Sequence, residues 1–262
     1  MKIEITIFII IPLITIIFFF LPVNIKNMLK VDLSEFNIPT FYTAIFIHED
    51  FSNHFLPNII AYYLYTSLSY CFSKLSRKNI WFTINLYIFF LILPSIAYPL
   101  LICINKFYFH DKLPPSCGFS GIISALIGLT PISILAYLKN SKVLKQIDKP
   151  LISIFLASIL LIPYIYRQPF IPITIIFLLI ISIWINKENL KAIYKHIKKT
   201  AIQNFGLFFL TILSIPSYFI GILGMFPTQI VYNGSIRDII SHYLGWIIGF
   251  FLSYILLKIN NF

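Results

Sequence analysis

Long apolar runs, separated by short clusters of charged and polar residues, restrict the fold of this chain more than any other feature. Hydrophobic residues make up 59% of its 262 residues, charged residues only 11%, and the mean hydropathy is +0.89. Within a bilayer the backbone must satisfy its own hydrogen bonds, so runs of this length favour membrane-spanning α-helices. We therefore predict an all-α polytopic membrane protein with eight membrane segments, over residues 5–22, 54–73, 80–104, 118–138, 151–166, 169–186, 203–224 and 238–257.

The net charge of +11 is distributed unevenly between these segments. If the amino terminus is cytoplasmic, the cytoplasmic segments contain fourteen of the twenty Lys and Arg residues and three of the nine acidic residues. The cytoplasmic side then carries the whole positive surplus. Lys and Arg favour that side in membrane proteins, so orientation explains the charge and no nucleic-acid partner is needed. We expect a multi-pass protein of the cell membrane with a cytoplasmic amino terminus.

Three stretches differ from ordinary membrane-spanning helices. The spans 151–166 and 169–186 are shorter than the roughly 20 residues of a perpendicular helix, so they predict either a full hairpin or a shallow re-entrant one. The apolar run 41–47, between the first two spans, is predicted to lie in the outer membrane interface. The basic stretch 187–200 is predicted to form a short helix on the cytoplasmic surface, where its lysines would meet anionic lipid.

A serine framed by glycines opens the fourth predicted span. Gly118 and Gly121 flank Ser120, so a substrate backbone could approach the hydroxyl closely and the helix could start in a tight turn. The first N–H groups of a helix have no partner within it, and they favour a bound oxyanion. The pattern therefore predicts a nucleophilic serine. The alternative is that these small residues only let neighbouring helices pack closely.

His242, near the start of the last span, is a suitable base for this serine. A serine hydroxyl is a weak nucleophile until a base takes its proton, and histidine, with an unperturbed pKa of about 6.5, suits that task. Gly245 and Gly249 follow His242 and form a face of small residues. The fourth span has a matching face at helical spacing, formed by Gly121, Ser124, Ala125 and Gly128. If the two faces pack together, Ser120 and His242 meet at the outer ends of their helices.

Two more polar residues lie at the same predicted depth. His54 and Asn58 are four residues apart, so they share one face at the outer end of the second span. Polar side chains are costly in a bilayer and usually mark functional sites. We predict that both donate hydrogen bonds to an oxyanion, together with the Ser120 N–H. The alternative is an ordinary hydrogen bond between helices.

Together these motifs resemble those of the rhomboid family of intramembrane serine proteases. The matching residues are Gly118-Phe119-Ser120-Gly121, His242 with Gly245 and Gly249, and His54 with Asn58 and the upstream His48. The resemblance covers nearly the whole chain. It implies a single rhomboid-like domain over 1–262, with a six-helix core and an additional hairpin at about 151–186.

The resemblance also implies an activity. Ser120 and His242 would form a dyad without an acidic third member, and His54 and Asn58 would line the oxyanion hole. The substrates would be transmembrane proteins, cleaved at small residues near the outer membrane face. No metal and no other cofactor would be required, and the three cysteines have no metal-ligand spacing.

The sequence departs from the family pattern at several positions. His48 and His54 are six residues apart where the family usually has five, which leaves the role of His48 open. Ala125 replaces a usual glycine, and Ser241 replaces a usual alanine before the histidine. The first outer loop has no Trp-Arg pair. The Ser-His dyad itself is intact, which argues against an inactive relative.

Other classes of membrane protein fit the sequence less well. A zinc protease would need H-E-x-x-H, and the sequence from His48 to Ser52 lacks the second histidine. An aspartyl protease would need two aspartates within helices, whereas these aspartates lie in loops or at helix ends. The remaining alternative is a transporter or a non-catalytic membrane chaperone that binds through the same polar pocket. A transporter would be expected to place polar groups near the bilayer midplane and to contain a repeat.

Overall fold

The structure, a computed structural model, describes residues 3–110, 113–165, 173–225, 231–232, 235–236 and 239–259. The helices are α1 (3–19), α2 (Val23–Leu29), α3 (Ile38–Thr43), α4 (51–75), α5 (Asn79–Phe109), α6 (Ser120–Asn140), α7 (Asp148–Ile165), α8 (Ile173–Ile185), α9 (Lys187–Gln203), α10 (Phe205–Met225) and α11 (239–259). Two short strands, β1 (Val231–Tyr232) and β2 (Ser235–Ile236), pair antiparallel before α11.

Four helices in the described part of the chain are long and apolar enough to cross a membrane: α5, α6, α10 and, within α11, Ile240–Ile259. They coincide with four of the eight predicted segments. Residues 6–19 and 176–185 form shorter apolar helices. The second predicted segment is helical in α4, but its Asn, Tyr and Ser side chains make that helix less apolar. The chain thus has the architecture of an all-α membrane protein.

Helix α6 lies at the centre of this arrangement. It packs against α4, α10 and α11, and almost every residue from Gly121 to Leu138 is buried. A helix enclosed on all sides must be apolar on all faces, and its few polar groups need partners. The Thr130 hydroxyl lies 3.1 Å from that of Ser69 in α4, and Ser133 donates to the Leu129 carbonyl. The helix that begins at Ser120 is therefore the core of the fold.

The run 41–47, which is predicted to lie in the membrane interface, packs mostly against the rest of the protein. Phe41 of helix α3 and the following Ile47 are at most 2% exposed, whereas Ile38 at the start of α3 is exposed. Close by, Val31 and Ser116 form an isolated antiparallel bridge. Hydropathy does not distinguish burial in lipid from burial in protein, so the location of this segment in the membrane interface stays a prediction. This segment forms a wall beside the loop that precedes α6.

The predicted hairpin at about 151–186 contains two paired helices, α7 and α8. The hydroxyls of Ser153 and Ser182 lie 2.7 Å apart, and the Asn186 amide donates to the Lys149 carbonyl. The turn predicted at 167–169 lies outside the described residues. Helix α9 follows as the predicted basic helix, and its lysines are exposed. It is attached to α6 through His196, whose Nε2 lies 3.0 Å from the Tyr137 hydroxyl.

Candidate active site

The loop before α6 is shaped by the packing of Gly118. Its φ of +125° is a conformation that favours glycine, and a Cβ at this position would lie 2.6 Å from Nε2 of His54. The Gly118 N–H donates to the Ala44 carbonyl at 2.9 Å, which ties the loop to the wall formed by 41–47. The next residue, Phe119, is completely buried. These contacts fix the point at which Ser120 begins α6.

Ser120 and His242 are in hydrogen-bond contact. The Ser120 Oγ lies 2.7 Å from His242 Nε2, and His242 Nδ1 lies 2.6 Å from the Met225 carbonyl oxygen. A carbonyl can only accept, so Nδ1 must donate its proton there. In the neutral imidazole, Nε2 then has the free lone pair and accepts the Ser120 hydroxyl proton. Met225, the last residue of α10, thus supplies the carbonyl acceptor that fixes the tautomer of His242.

Packing between the two faces of small residues brings the serine and the histidine together. A Cβ on Gly245 would collide with the Gly121 carbonyl, and one on Gly249 with the Ala125 carbonyl. In the other direction, a Cβ on Gly128 would lie 2.5 Å from the carbonyl oxygen of α11 residue Trp246. No larger side chain fits between backbones this close. The α6–α11 seam, formed by these glycines and Ala125, therefore holds Ser120 beside His242, as the spacing of the glycines predicts.

His48 acts as a support for Asn58. Its Nδ1 lies 3.2 Å from the Phe46 carbonyl oxygen, and its Nε2 lies 3.1 Å from the amide nitrogen of Asn58. Burial, reinforced by the neighbouring His54, lowers the pKa of His48 to about 3, so the ring is neutral at physiological pH. The neutral ring donates from Nδ1 and accepts the Asn58 N–H at Nε2. The role of His48, which the sequence leaves open, is therefore to hold the Asn58 amide through a hydrogen bond.

A π turn begins within the six-residue spacing from His48 to His54. Residues Phe51–Phe55 form that turn at the start of α4, and the Asp50 carboxylate accepts the Asn53 N–H at 2.6 Å. A π turn accommodates one residue more than an α-helical turn. The rings of His48 and His54 remain 4.8 Å apart. The unusual spacing therefore leaves both histidines and Asn58 in one cluster.

This cluster borders the serine loop. His54 lies against Gly118, two residues before Ser120, and His48 connects it to Asn58. The first N–H groups of α6 open toward the same end of the helix. Among the described residues, no group of three or more His, Cys, Asp or Glu side chains is arranged to hold a metal ion. The arrangement is suited to nucleophilic attack by a serine with hydrogen-bond donors nearby.

Two parts of the site could not be found by reasoning from the sequence. The Met225 carbonyl is a backbone group, which every residue has, so no residue pattern marks it. The His48–Asn58 hydrogen bond joins residues ten positions apart across a π turn. The only signal for it was the presence of a second histidine upstream of His54.

The site geometry is the evidence available for function, because similarity to other proteins adds none. Comparison of the chain with known protein families, with curated proteins and with solved structures finds no match. The features that bear on function are the contacts between Ser120, His242 and Met225, and the cluster of His48, His54 and Asn58.

Proposed function

We propose that the protein is a rhomboid-like intramembrane serine endopeptidase. It would hydrolyse peptide bonds in or near the transmembrane helices of other membrane proteins. The observation that carries the proposal is the 2.7 Å contact between Ser120 Oγ and His242 Nε2, with Nδ1 occupied by the Met225 carbonyl. An Nδ1–H tautomer leaves Nε2 free to act as a general base toward the serine.

The reaction follows from this arrangement. His242 Nε2 takes the Ser120 proton as Oγ attacks the scissile carbonyl carbon, and the tetrahedral oxyanion forms. His242 then gives the proton to the leaving amine, and an acyl-enzyme remains on Ser120. Water, deprotonated by the same nitrogen, attacks the ester carbon. The bond to Ser120 Oγ then breaks, Nε2 returns the proton to Oγ, and the second product leaves as a carboxylic acid. The Met225 carbonyl stabilises the imidazolium that forms in each step, as an acidic residue does in a triad.

The oxyanion requires donors at the mouth of α6. The Ser120 N–H is one, and by resemblance to the rhomboid motif His54 and Asn58 are others. Asn58 has two amide protons, of which His48 accepts one, so one remains for a substrate. His48 therefore holds Asn58 in place without occupying all its donors.

The proposed membrane arrangement has eight segments in a single domain. The amino terminus is cytoplasmic in this proposal, and the additional hairpin α7–α8 joins a six-helix core. The uneven charge distribution supports the orientation. The partners are lipid and transmembrane protein substrates, with no nucleic acid.

Substrates would reach the site between α4 and α10. The Tyr65 hydroxyl of α4 donates to the Ser217 carbonyl of α10 at 2.6 Å, and it lies against Gly221. Pro216, inside α10, removes one backbone hydrogen bond and weakens the helix at the same level. By resemblance to the family, α10 would move sideways to admit a substrate helix.

Labelling by a fluorophosphonate probe, combined with a cleavage assay, tests the proposal. The wild type should label at Ser120 and cleave a generic transmembrane substrate. Ser120→Ala and His242→Ala should abolish both while the proteins still insert and fold. Full labelling of His242→Ala, or strong cleavage by Ser120→Ala, would show that the pocket binds without this chemistry. The function would then be that of a non-catalytic membrane chaperone or transporter.

A further inference from the structure

The hairpin α7–α8 contacts the helix that carries the base. The Phe155 ring of α7 stacks on the Trp246 ring of α11, with centroids 5.6 Å apart and planes 6° apart. It also packs against Phe250 and Phe251, at 5.5 and 4.9 Å. Trp246 follows His242 by four residues, which is about one helical turn. The hairpin is thus packed one turn from the histidine.

One hydroxyl group joins the hairpin to two other helices. The Tyr218 hydroxyl of α10 lies 2.8 Å from the Ser158 hydroxyl of α7, and it accepts the Trp246 indole N–H at 3.4 Å. All three residues are buried, with at most 4% of their surface exposed. Buried polar groups are costly to leave without partners, so this connection favours one relative position of the three helices.

The position of α10 determines whether the Met225 carbonyl stays in contact with His242. Met225, whose carbonyl accepts the His242 Nδ1 proton, follows Tyr218 by seven residues, so the two lie on the same face of α10. Ile222 lies between them on that face and is 1% exposed. A shift of α10 away from α7 and α11 would move the Met225 carbonyl away from His242. The imidazole would then lose the contact that fixes its tautomer.

We propose that the α7–α8 hairpin positions the catalytic base. Through Ser158 and Tyr218 it holds α10 where the Met225 carbonyl orients His242. Ser158 and Tyr218 are positioning residues, since they act on His242 through the position of α10 and its Met225 carbonyl. The inference rests on the proposed function, because it names what orients the base of the same site.

Substitution of the connecting hydroxyls tests the proposal. Ser158→Ala removes one partner of the Tyr218 hydroxyl, and Tyr218→Phe removes that hydroxyl together with its contacts to Ser158 and Trp246; both changes leave the packing nearly unchanged. Each should lower the rate of Ser120 labelling by a fluorophosphonate roughly three- to tenfold, which corresponds to one lost hydrogen bond. The double variant should be no slower than the slower single variant, since both act through the same bond. Ser153→Ala, which removes contacts of Ser153 with Ser182 and Asn186 within the hairpin and at its end and none with α10 or α11 that carries this connection, should label at the wild-type rate.

A second measurement does not depend on activity. In ¹⁵N-histidine NMR spectra, assigned for His242 by its loss in His242→Ala, the wild type should show a single Nδ1–H tautomer. Tyr218→Phe and Ser158→Ala should show a mixture of tautomers. Unchanged labelling with a single tautomer in both variants would overturn the proposal, and so would fully multiplicative rate losses in the double variant. If the wild type does not label but the tautomers still change, the protease function fails and the positioning role stands.

Discussion

Helices α6 and α10 have the same length, 21 residues, and the same mean hydropathy, 2.0, yet they are packed in different ways. The most apolar stretch of α6 is 94% buried within the protein, whereas that of α10 is 28% buried. Hydropathy therefore predicts that both are membrane helices but not which of them has protein neighbours. The difference comes from the small residues of α6, which let α11 approach its backbone.

Glycines of the α6–α11 seam and Gly224 of α10 also differ in how closely they are packed. A Cβ on Gly249 of the seam would collide with the Ala125 carbonyl, whereas a Cβ on Gly224 of α10 would meet nothing within 4 Å. Helix α10 is instead held by side-chain hydrogen bonds, from Tyr65 on one side and Ser158 on the other. A seam of backbone contacts is rigid, and a helix held by a few hydroxyls can move.

The largest effect is expected from a bulky residue in the seam. Gly249→Leu should lower the free energy of unfolding by about 3 kcal/mol or more, because the two backbones must separate. The separation should also abolish labelling of Ser120. Gly224→Leu is the matched control, and it should change stability by at most about 0.5 kcal/mol. Similar losses in the two variants, measured by unfolding in mixed micelles, would contradict the distinction between the seam and α10.

Cross-linking α10 to α4 should separate substrate access from chemistry. In a protein without its native cysteines, Tyr65→Cys and Gly221→Cys can be joined by a short bifunctional thiol reagent. Cleavage of a membrane-embedded substrate should fall roughly tenfold or more, because α10 can no longer move aside. Fluorophosphonate labelling of Ser120 should persist, since a small probe needs no such movement. Undiminished cleavage after complete cross-linking would reject movement of α10.

The buried His48 should make stability depend on pH. Its pKa is lowered to about 3 in the folded protein, whereas an unfolded histidine titrates near pH 6.5. The unfolded chain therefore binds a proton that the folded protein does not, and stability is lost as the pH falls from about 6.5 toward 3. Between pH 7 and pH 5 the loss from this group should be about 2 kcal/mol.

A comparison of variants isolates this contribution. His48→Gln should be less stable than the wild type at pH 7, but it should lose about 2 kcal/mol less between pH 7 and pH 5. The control is His110→Asn, at an exposed position after α5. Its pH dependence should match that of the wild type. Equal pH dependence in His48→Gln and the wild type would show that His48 is not held neutral.

The smallest effect is expected from removing the Tyr65 hydroxyl, which connects α4 to α10. Tyr65→Phe removes the hydrogen bond to the Ser217 carbonyl and should destabilise the closed position of α10 by about 1 kcal/mol. Cleavage of a transmembrane substrate should then rise a few fold, with labelling of Ser120 unchanged. Tyr63→Phe is the control, because the Tyr63 hydroxyl donates to the Phe8 carbonyl of α1 and not to α10. An equal rise in both variants would contradict a specific role for Tyr65.

The sequence alone determined the class of fold, because a bilayer requires long apolar helices. The uneven charge predicts which loops face the cytoplasm. It also predicted that Ser120 meets His242, since matching faces of small residues can form only where backbones come close. The positions of His54 and Asn58 on one face followed from helical periodicity. The structure contains the Ser120–His242 contact, because the spacing of small residues along each helix decides which faces can pack closely. The orientation and the oxyanion role of His54 and Asn58 stay predictions.

Only the tertiary structure decided what surrounds the dyad. The Met225 carbonyl, the His48 support of Asn58 and the burial of 41–47 all depend on contacts between distant segments. A backbone carbonyl has no side-chain signature, and an apolar run is equally suited to lipid and to a protein core. The connection of Ser158 through Tyr218 to Trp246 likewise spans three helices. Such contacts arise from the relative positions of whole helices, which the periodicity of each helix does not specify.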